Sequence, residues 1–486
     1  MGSFKSLFGT QDMTVGRPLT VLARFSVPLL IGNFAQQLYN TVDSIIVGQY
    51  IGDTALAAVG TAGPILNLLL VLFMGIATGA GILSAQYFGA QDRKTLSRTV
   101  GNTMLLTLGS GLLMSLIGFL ATPFLVGLTN PPEEVAAGAV IYLQIIFIGF
   151  LGGGAYNILS GVLRGMGDSV FPLIYLIIAS LLNIVLDLVF VANFGMGIAG
   201  VAWATIIAQA VSGSLCVVRI LRMKDQIDLN RETLRPDGTI LRKLCALGIP
   251  AGITSAIFSM SAILVQGLVN SMGTAVIATN VAVMRVDGFA MMPNFTFGTA
   301  ATTYIGQNIG AMKTSRLRSG VRDMMKLALS VSLVLVTAII LFGKNLIAMF
   351  TQTPEVIELG RQGLLWLSFG YVCFAVTQVL QGVMRGAGDT LVPMWLSIIT
   401  TVILRMPLAY LLANLTRSEA FPQGSPHALF ASLLISWVIG TGLSILAYKK
   451  GLWRKKLPEK MIRELEAEKA SAGNNPDPPS AARSRP

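Results

Sequence analysis

Charge is scarce in this 486-residue chain, with only 12% of its residues Asp, Glu, Lys or Arg. A soluble domain carries about 25%, so the chain lacks the charge to cover a water-facing surface. Histidine is scarcer still: His427 stands alone and reads as an ordinary loop residue. One histidine builds neither a histidine metal cluster nor a catalytic triad, and no phosphate loop or nucleophile–base constellation takes its place. An enzyme is disfavoured and no cofactor is implied. The three cysteines, Cys216, Cys245 and Cys373, are scattered in or beside apolar stretches. Their spacing suits neither metal binding nor a disulfide framework, so packing roles are expected. The start, Met1-Gly-Ser-Phe-Lys5, lacks the charged lead, short apolar core and small-residue cleavage site of a secretory signal. The first helix is therefore expected to stay in the mature protein.

Apolar residues are abundant, at 53% of the chain, with a mean hydropathy of +0.70. Twelve runs are long enough to cross a bilayer core of about 30 Å as helices of about 20 residues. They lie near 20–45, 54–82, 96–121, 136–162, 170–194, 198–222, 245–271, 276–302, 321–349, 360–383, 391–415 and 428–449. The class is an all-α polytopic membrane protein. A net charge of +12 raises the question of nucleic acid, but its distribution answers no. Lys and Arg gather in alternate connections: Arg93, Lys94 and Arg98; Arg222 to Lys243; Lys313 to Lys326; Lys449 to Lys456. The intervening loops hold chiefly Lys344 and Arg417, with Glu133 and Glu134 on that side. This alternation follows the positive-inside rule and puts both termini in the cytoplasm. A bacterial inner membrane is the expected location.

The chain is also duplicated. Arg164-Gly-Met-Gly167-Asp168 returns 221 residues later as Arg385-Gly-Ala-Gly388-Asp389. Gln86 with Gly89 returns as Gln307 with Gly310, Pro172 as Pro393, and Pro28 as Pro250 with one residue of slip. Internal repeats in so apolar a chain point to a transporter. The expected divisions are a cytoplasmic N-terminus (1–19), a six-helix bundle (20–222), a cytoplasmic linker (223–242), a second six-helix bundle (243–450) and a tail (451–486). The tail begins with a charged, helix-prone piece and continues as a disordered Pro/Ser/Asn/Ala segment. In the repeated motif, Gly167 and Gly388 suit positive φ, and Asp168 and Asp389 suit helix capping. Arg164 and Arg385 read as topology-fixing residues of structural turns, with a cytoplasmic gate as the functional alternative.

Ionisable groups at bilayer depth are costly and usually face the bundle interior or water. The candidates are Asp43, Asp187, Arg285, Asp287 and Arg405. Asn33, Gln36, Gln37, Asn40 and Asp43 follow helical spacing and share a face, so that face lines a cavity or a polar seam. Pro28, fifteen residues before Asp43, is an expected bend. Asn183 and Asp187 stand one turn apart, and Thr205 offers a hydroxyl at similar depth on the next helix. Two carboxylates, an amide oxygen and a hydroxyl suit a hard cation such as Na+; the same carboxylates suit a proton. A hydrogen-bonded interhelical clasp is the bland alternative. Arg285 and Asp287 are two positions apart and need other partners; Arg405 is the partner expected for Asp287. Asn157 is a further cavity candidate, and Met260, Met284, Met291 and Met292 suit an adaptable apolar wall.

Taken together, Pro28, Asn40-Thr41-Val42-Asp43 with Gly48, Gln86 with Gly89, both Arg-Gly-x-Gly-Asp turns, Asn183 with Asp187, Thr205 and Arg405-Met-Pro-Leu-Ala carry a likeness. Over roughly residues 15–450 the chain resembles the MATE (multidrug and toxic compound extrusion) transporters, in particular prokaryotic members with a cation site in the N-terminal bundle. The resemblance implies two pseudo-symmetric six-helix bundles forming a V around a central cavity. It implies sodium or proton binding at Asp43, Asn183, Asp187 and Thr205, and a bend at Pro28 that accompanies switching. Some members carry acids in the seventh and tenth helices; here Gln266, Gln378 and Gln381 are the polar candidates, so a second cation site is not expected. The implied function is secondary active export of amphipathic, often cationic compounds by alternating access, with the chain acting as a monomer. The alternative is a lipid-linked saccharide flippase of related architecture, for which a strongly cationic cavity would speak.

Overall fold

The computed structural model describes residues 10–129, 131–419 and 421–473, and these are helical almost throughout. All twelve predicted spans are present. The first bundle comprises α1 (Pro18–Tyr50), α2 (Asp53–Gly89), α3 (Arg93–Thr129), the pair α4 (Glu133–Ile148) and α5 (Phe150–Gly165), α6 (Val170–Asp187) and α7 (Gly197–Arg222). The second comprises α8 (Gly238–Ser271), α9 (Thr274–Gly310), α10 (Thr314–Ala348), α11 (Pro354–Gly386), the pair α12 (Leu391–Ser397) and α13 (Arg405–Leu415), and α14 (His427–Lys450). The fourth span bends by 55° between α4 and α5. Asp187 ends α6 where a π-helical segment, Leu188–Asn193, begins; Arg405 opens α13 where another, Ile398–Leu404, ends. Such π segments concentrate at functional sites.

The helices outrun the apolar windows that predict them. The 37 residues of α2 span about 55 Å at 1.5 Å per residue, beyond the hydrocarbon core, and hydropathy registers only the apolar middle. His427 is the first residue of α14 rather than a loop residue, with Nε2 2.7 Å from Gln362 Oε1. Cys216 and Cys373 are buried, and all three cysteines are free. Helix α8 starts inside the stretch read as linker, because the Asp237 carboxylate accepts from the Thr239 and Ile240 amides and caps it. The rest of that connection is fastened to α3: Asp228 pairs with Arg93 at 2.6 Å, and Asn102 Oδ1 accepts from the Asp237 amide at 2.7 Å.

The exterior is apolar where a membrane would be. Along α3, Leu108, Leu112, Leu116, Leu120, Phe124 and Leu128 form an exposed stripe at four-residue spacing, while Thr103, Thr107, Gly111, Gly118 and Thr122 face inward. Helix–helix contacts inside lipid rest on close approach rather than on hydrophobic burial, and small residues provide it. Gly75 and Gly79 of α2 meet Gly248 and Gly252 of α8 with no room for a Cβ at Gly75 or Gly79, joining the two lobes. Within the lobes, Gly161 and Gly165 cross Ala77 and Gly81, and their counterparts Gly382 and Gly386 cross Gly298 and Thr302.

Both Arg-Gly-x-Gly-Asp turns lie at one end of the molecule, where the lobes touch. Gly167 and Gly388 have φ of +88° and +87°, as predicted. Asp168 Oδ1 accepts from the Phe171 amide and Asp389 Oδ1 from the Val392 amide, each at 3.1 Å. Gln86 Nε2 donates to the Gly386 carbonyl at 3.0 Å, and Gln307 Nε2 to the Gly165 carbonyl at 2.9 Å. These two bonds are related by the duplication. A strap of residues 10–17 threads beside them: the Met13 amide donates to Gln307 Oε1 at 2.8 Å and the Gln11 amide to the Gly167 carbonyl at 3.0 Å. At the other chain end, α15 (Glu459–Gly473) buries Met461 and Leu465 against the second lobe, and Glu464 accepts from Thr314. The predicted disordered segment after it lies outside the described residues.

Candidate cation site and central cavity

Helix α1 belongs to both lobes. Near its start, Val21, Leu22 and Phe25 share a core with Phe297, Tyr304 and Met324 of the second lobe. Further along, it packs on α6 of the first. Pro28 lies within the continuous helix, where its ring removes one backbone N–H and weakens the ladder. The polar stripe therefore meets different surroundings along its length. Asn33 Nδ2 donates to Thr296 Oγ1 across the lobes at 2.9 Å. Asn33, Gln36 and Pro28 line a central cavity, as does Asn157, whereas Gln37 and Asn40 do not. Asp43 turns into the first lobe.

There the side chains of Asp43 and Asp187 come within hydrogen-bonding reach of each other. Asn183 and Asp187 are fully buried and Thr205 is buried beside them. With its amide in the orientation that satisfies both neighbours, Asn183 Nδ2 donates to Asp187 Oδ2 at 2.9 Å and its Oδ1 accepts from the Thr205 amide at 3.2 Å. Thr205 Oγ1 donates to the Val201 carbonyl at 2.9 Å and keeps its lone pairs. Asp43 Oδ1 and Asp187 Oδ1 are buried without a partner. Two adjacent acids with orphaned oxygens are stable only if a proton or cation joins them. The structure thus brings together all four predicted ligands. Two neighbours escape the sequence reading: Tyr39, close to both acids and to Thr205, and Tyr142, buried close to both acids.

The central cavity, about 380 Å³, is lined by both lobes. Its charged lining residues are Arg164 and Arg385, which the sequence reading placed at the structural turns. Both belong to the last helical turn before the motif's glycine bend. Helical side chains lean toward the N-terminus, so an arginine at this end reaches back into the cavity rather than out to the loop. Its guanidinium also stays near the negative end of its own helix.

A second cavity of about 320 Å³ lies in the second lobe, lined by Asp287, Met284, Met291, Gln266 and Arg405. The expected Asp287–Arg405 pair is not formed among the described residues. Asp287 accepts instead from the Tyr371 hydroxyl, and Arg405 Nη1 donates to Ser261 Oγ at 3.0 Å. Each finds a nearer partner within its own lobe. Arg285 is exposed and lines neither cavity, nor do Met260 and Met292. Gln378 and Gln381 line both cavities and, with Phe258, form their shared wall.

The MatE family profile matches residues 28–189 and 250–411, two segments whose starts are 222 residues apart (250 − 28), at the Pro28 and Pro250 of the duplication. The chain is 30% identical over 444 residues to the probable multidrug resistance protein YpnP of Bacillus subtilis, covering 91% of this chain and 97% of that one. It is 24% identical over 450 residues to the probable multidrug resistance protein NorM of Thermotoga maritima, covering 91% and 95%. Its fold is similar, with a TM-score of 0.84 at 22% identity, to a multidrug resistance MATE family transporter of the MOP superfamily solved in an outward-facing conformation, covering 92% of this chain and 99% of that one.

Proposed function

The chain belongs to the MATE transporter family, and we propose that it is a secondary active exporter of small amphipathic compounds, driven by a cation held between Asp43 and Asp187. The observation that carries this reading is the buried acid pair with one orphaned oxygen on each member. A shared proton satisfies that pair without rearrangement. Sodium would take the two orphaned oxygens and Thr205 Oγ1, and would require the Asn183 amide to turn its oxygen inward, giving the oxygen set a hard cation prefers.

Coupling demands that cation and substrate favour different states. Helix α1 supplies the connection, since its Asp43 end sits in one lobe and its beginning in the other, with Pro28 between. The basic connections put the turn end and both termini in the cytoplasm, in keeping with a bacterial inner membrane. The paired Gln86 and Gln307 bonds then close the cytoplasmic side, and rocking of the lobes would exchange that closure for one on the far side. One chain contains both lobes and both cavities, which supports a monomeric unit of transport.

Dye efflux from proteoliposomes under separately imposed sodium and pH gradients tests the reading. Asp43→Asn and Asp187→Asn are each expected to abolish gradient-driven efflux while the protein still inserts and folds. Either variant extruding dye at the normal rate on a cation gradient would end the proposed roles. The gradient that drives the normal protein identifies the ion.

A further inference from the structure

We propose that the floor of the central cavity is an oxyanion subsite, in which Arg164 and Arg385 hold the carboxylate, sulfonate or phosphate end of an amphipathic substrate. This deepens the export reading by naming a substrate class and rests on it for the word substrate. Its test measures binding alone, so the two fail separately.

Both guanidiniums sit within membrane spans and line the cavity, a position that costs several kcal/mol unless a partner is supplied. The protein does not supply a counter-ion. The acids adjacent in sequence are committed elsewhere: Asp168 Oδ2 accepts from Arg219 Nε and Nη2 at 3.1 and 3.0 Å, and Asp389 Oδ1 caps its own helix. The residues lining the cavity include neither Asp nor Glu. Each guanidinium carries five N–H donors in a planar fork. Arg164 uses one, from Nη1 to Ser160 Oγ at 3.0 Å, and the Arg385 guanidinium makes no hydrogen bond or ion pair among the described residues. Most of both forks is therefore available to a ligand. Geometry that matches planar oxyanions at two points is what distinguishes arginine from lysine here.

The duplication strengthens the inference. The two arginines are equivalent positions, 221 residues apart, one from each lobe. Each lobe thus turns one guanidinium toward the same cavity, whose lining holds no acid to offset it. Phe258, Phe295 and Met74, on the same lining, offer an apolar surface for the rest of such a molecule. An amphiphile with an oxyanion head fits this division into a charged floor and apolar walls.

Calorimetric titration of the full chain in a maltoside detergent, with 1-naphthyl phosphate, 1-naphthoate and neutral 1-naphthol, tests the subsite. Both anions are expected to bind at least about tenfold tighter than 1-naphthol. Arg164→Gln or Arg385→Gln should weaken the anions about tenfold and leave 1-naphthol unchanged; the double variant should erase the preference. Arg285→Gln makes the same charge change outside both cavities and should preserve it. Should the glutamine variants fail to fold, Arg164→Lys and Arg385→Lys keep the charge without the fork and should weaken anion binding several-fold. Competition by dihexanoyl phosphatidic acid would identify a lipid headgroup as the source of the oxyanion; a lack of competition would identify a soluble amphiphile. Normal protein that binds 1-naphthol as tightly as the anions, or arginine variants with undiminished preference, would overturn the proposal.

Discussion

Tyr39 stands one helical turn before Asp43 on α1, close to both acids and to Thr205. It thereby brings a hydroxyl of α1 beside α7 at the cation site without carrying charge itself. Tyr39→Phe removes that hydroxyl from beside the acids, a loss of about 1–3 kcal/mol. The cation concentration for half-maximal efflux should rise about tenfold or more, with maximal efflux retained. An unchanged half-maximal concentration would leave Tyr39 as packing only. The gathering of Asp43, Asn183, Asp187 and Thr205 was legible because helical spacing makes Asn183 and Asp187 neighbours and because acids are rare at bilayer depth. Tyr142 had no such signal: it comes from another span, whose rotation about its own axis is decided by packing. Arg164 and Arg385 were legible as turn residues but not as cavity lining, since their position next to a turn conceals how far a helix-terminal side chain leans back into the membrane.

Between elements, the close crossings decide which states the molecule can adopt. A Cβ at Gly89 would overlap the Gln307 carbonyl oxygen, and one at Gly310 would overlap that of Gln86. These contacts put the ends of α2 and α9 backbone against backbone at the turn end. Gly89→Ala or Gly310→Ala should disfavour the closed turn end by about 1–3 kcal/mol through overpacking. Hydrogen exchange over residues 83–92 and 304–313 should rise, with exchange over 158–163 unchanged. A normal exchange pattern would mean that the crossing has slack. The twelve spans could be read from hydropathy because each must be apolar for its own sake. Their partners could not: among 51 glycines, four-residue spacings such as Gly75–Gly79 and Gly248–Gly252 recur too often to reveal which two meet.

At the scale of the whole molecule, the strap of residues 10–17 joins both lobes at the closed end. Besides the bonds from Gln11 and Met13, the Met13 carbonyl accepts from Arg316 Nη2 at 3.0 Å, the Gly16 carbonyl from Arg316 Nη1 at 2.8 Å, and the Thr14 carbonyl from Lys313 Nζ at 2.9 Å. Gln226 Nε2 reaches Thr10 Oγ1 at 2.8 Å from the first lobe's side. Each such bond contributes about 1 kcal/mol net. A chain lacking residues 2–16 should therefore insert normally yet populate the closed turn end less, with the inter-lobe distance there increasing in pulsed electron resonance on spin-labelled protein. Identical distance distributions would show that the strap merely rests on the surface.

Opening the turn end must also wet what the strap now keeps dry. Met13 is fully buried there, and the backbone groups bonded to Gln307, Lys313 and Arg316 would exchange those partners for water. Solutes such as sucrose or trimethylamine N-oxide are excluded from protein surface and favour states that expose less of it. The balance between the two orientations of this transporter is consequently tied to the osmolyte content of the solution that bathes its strap.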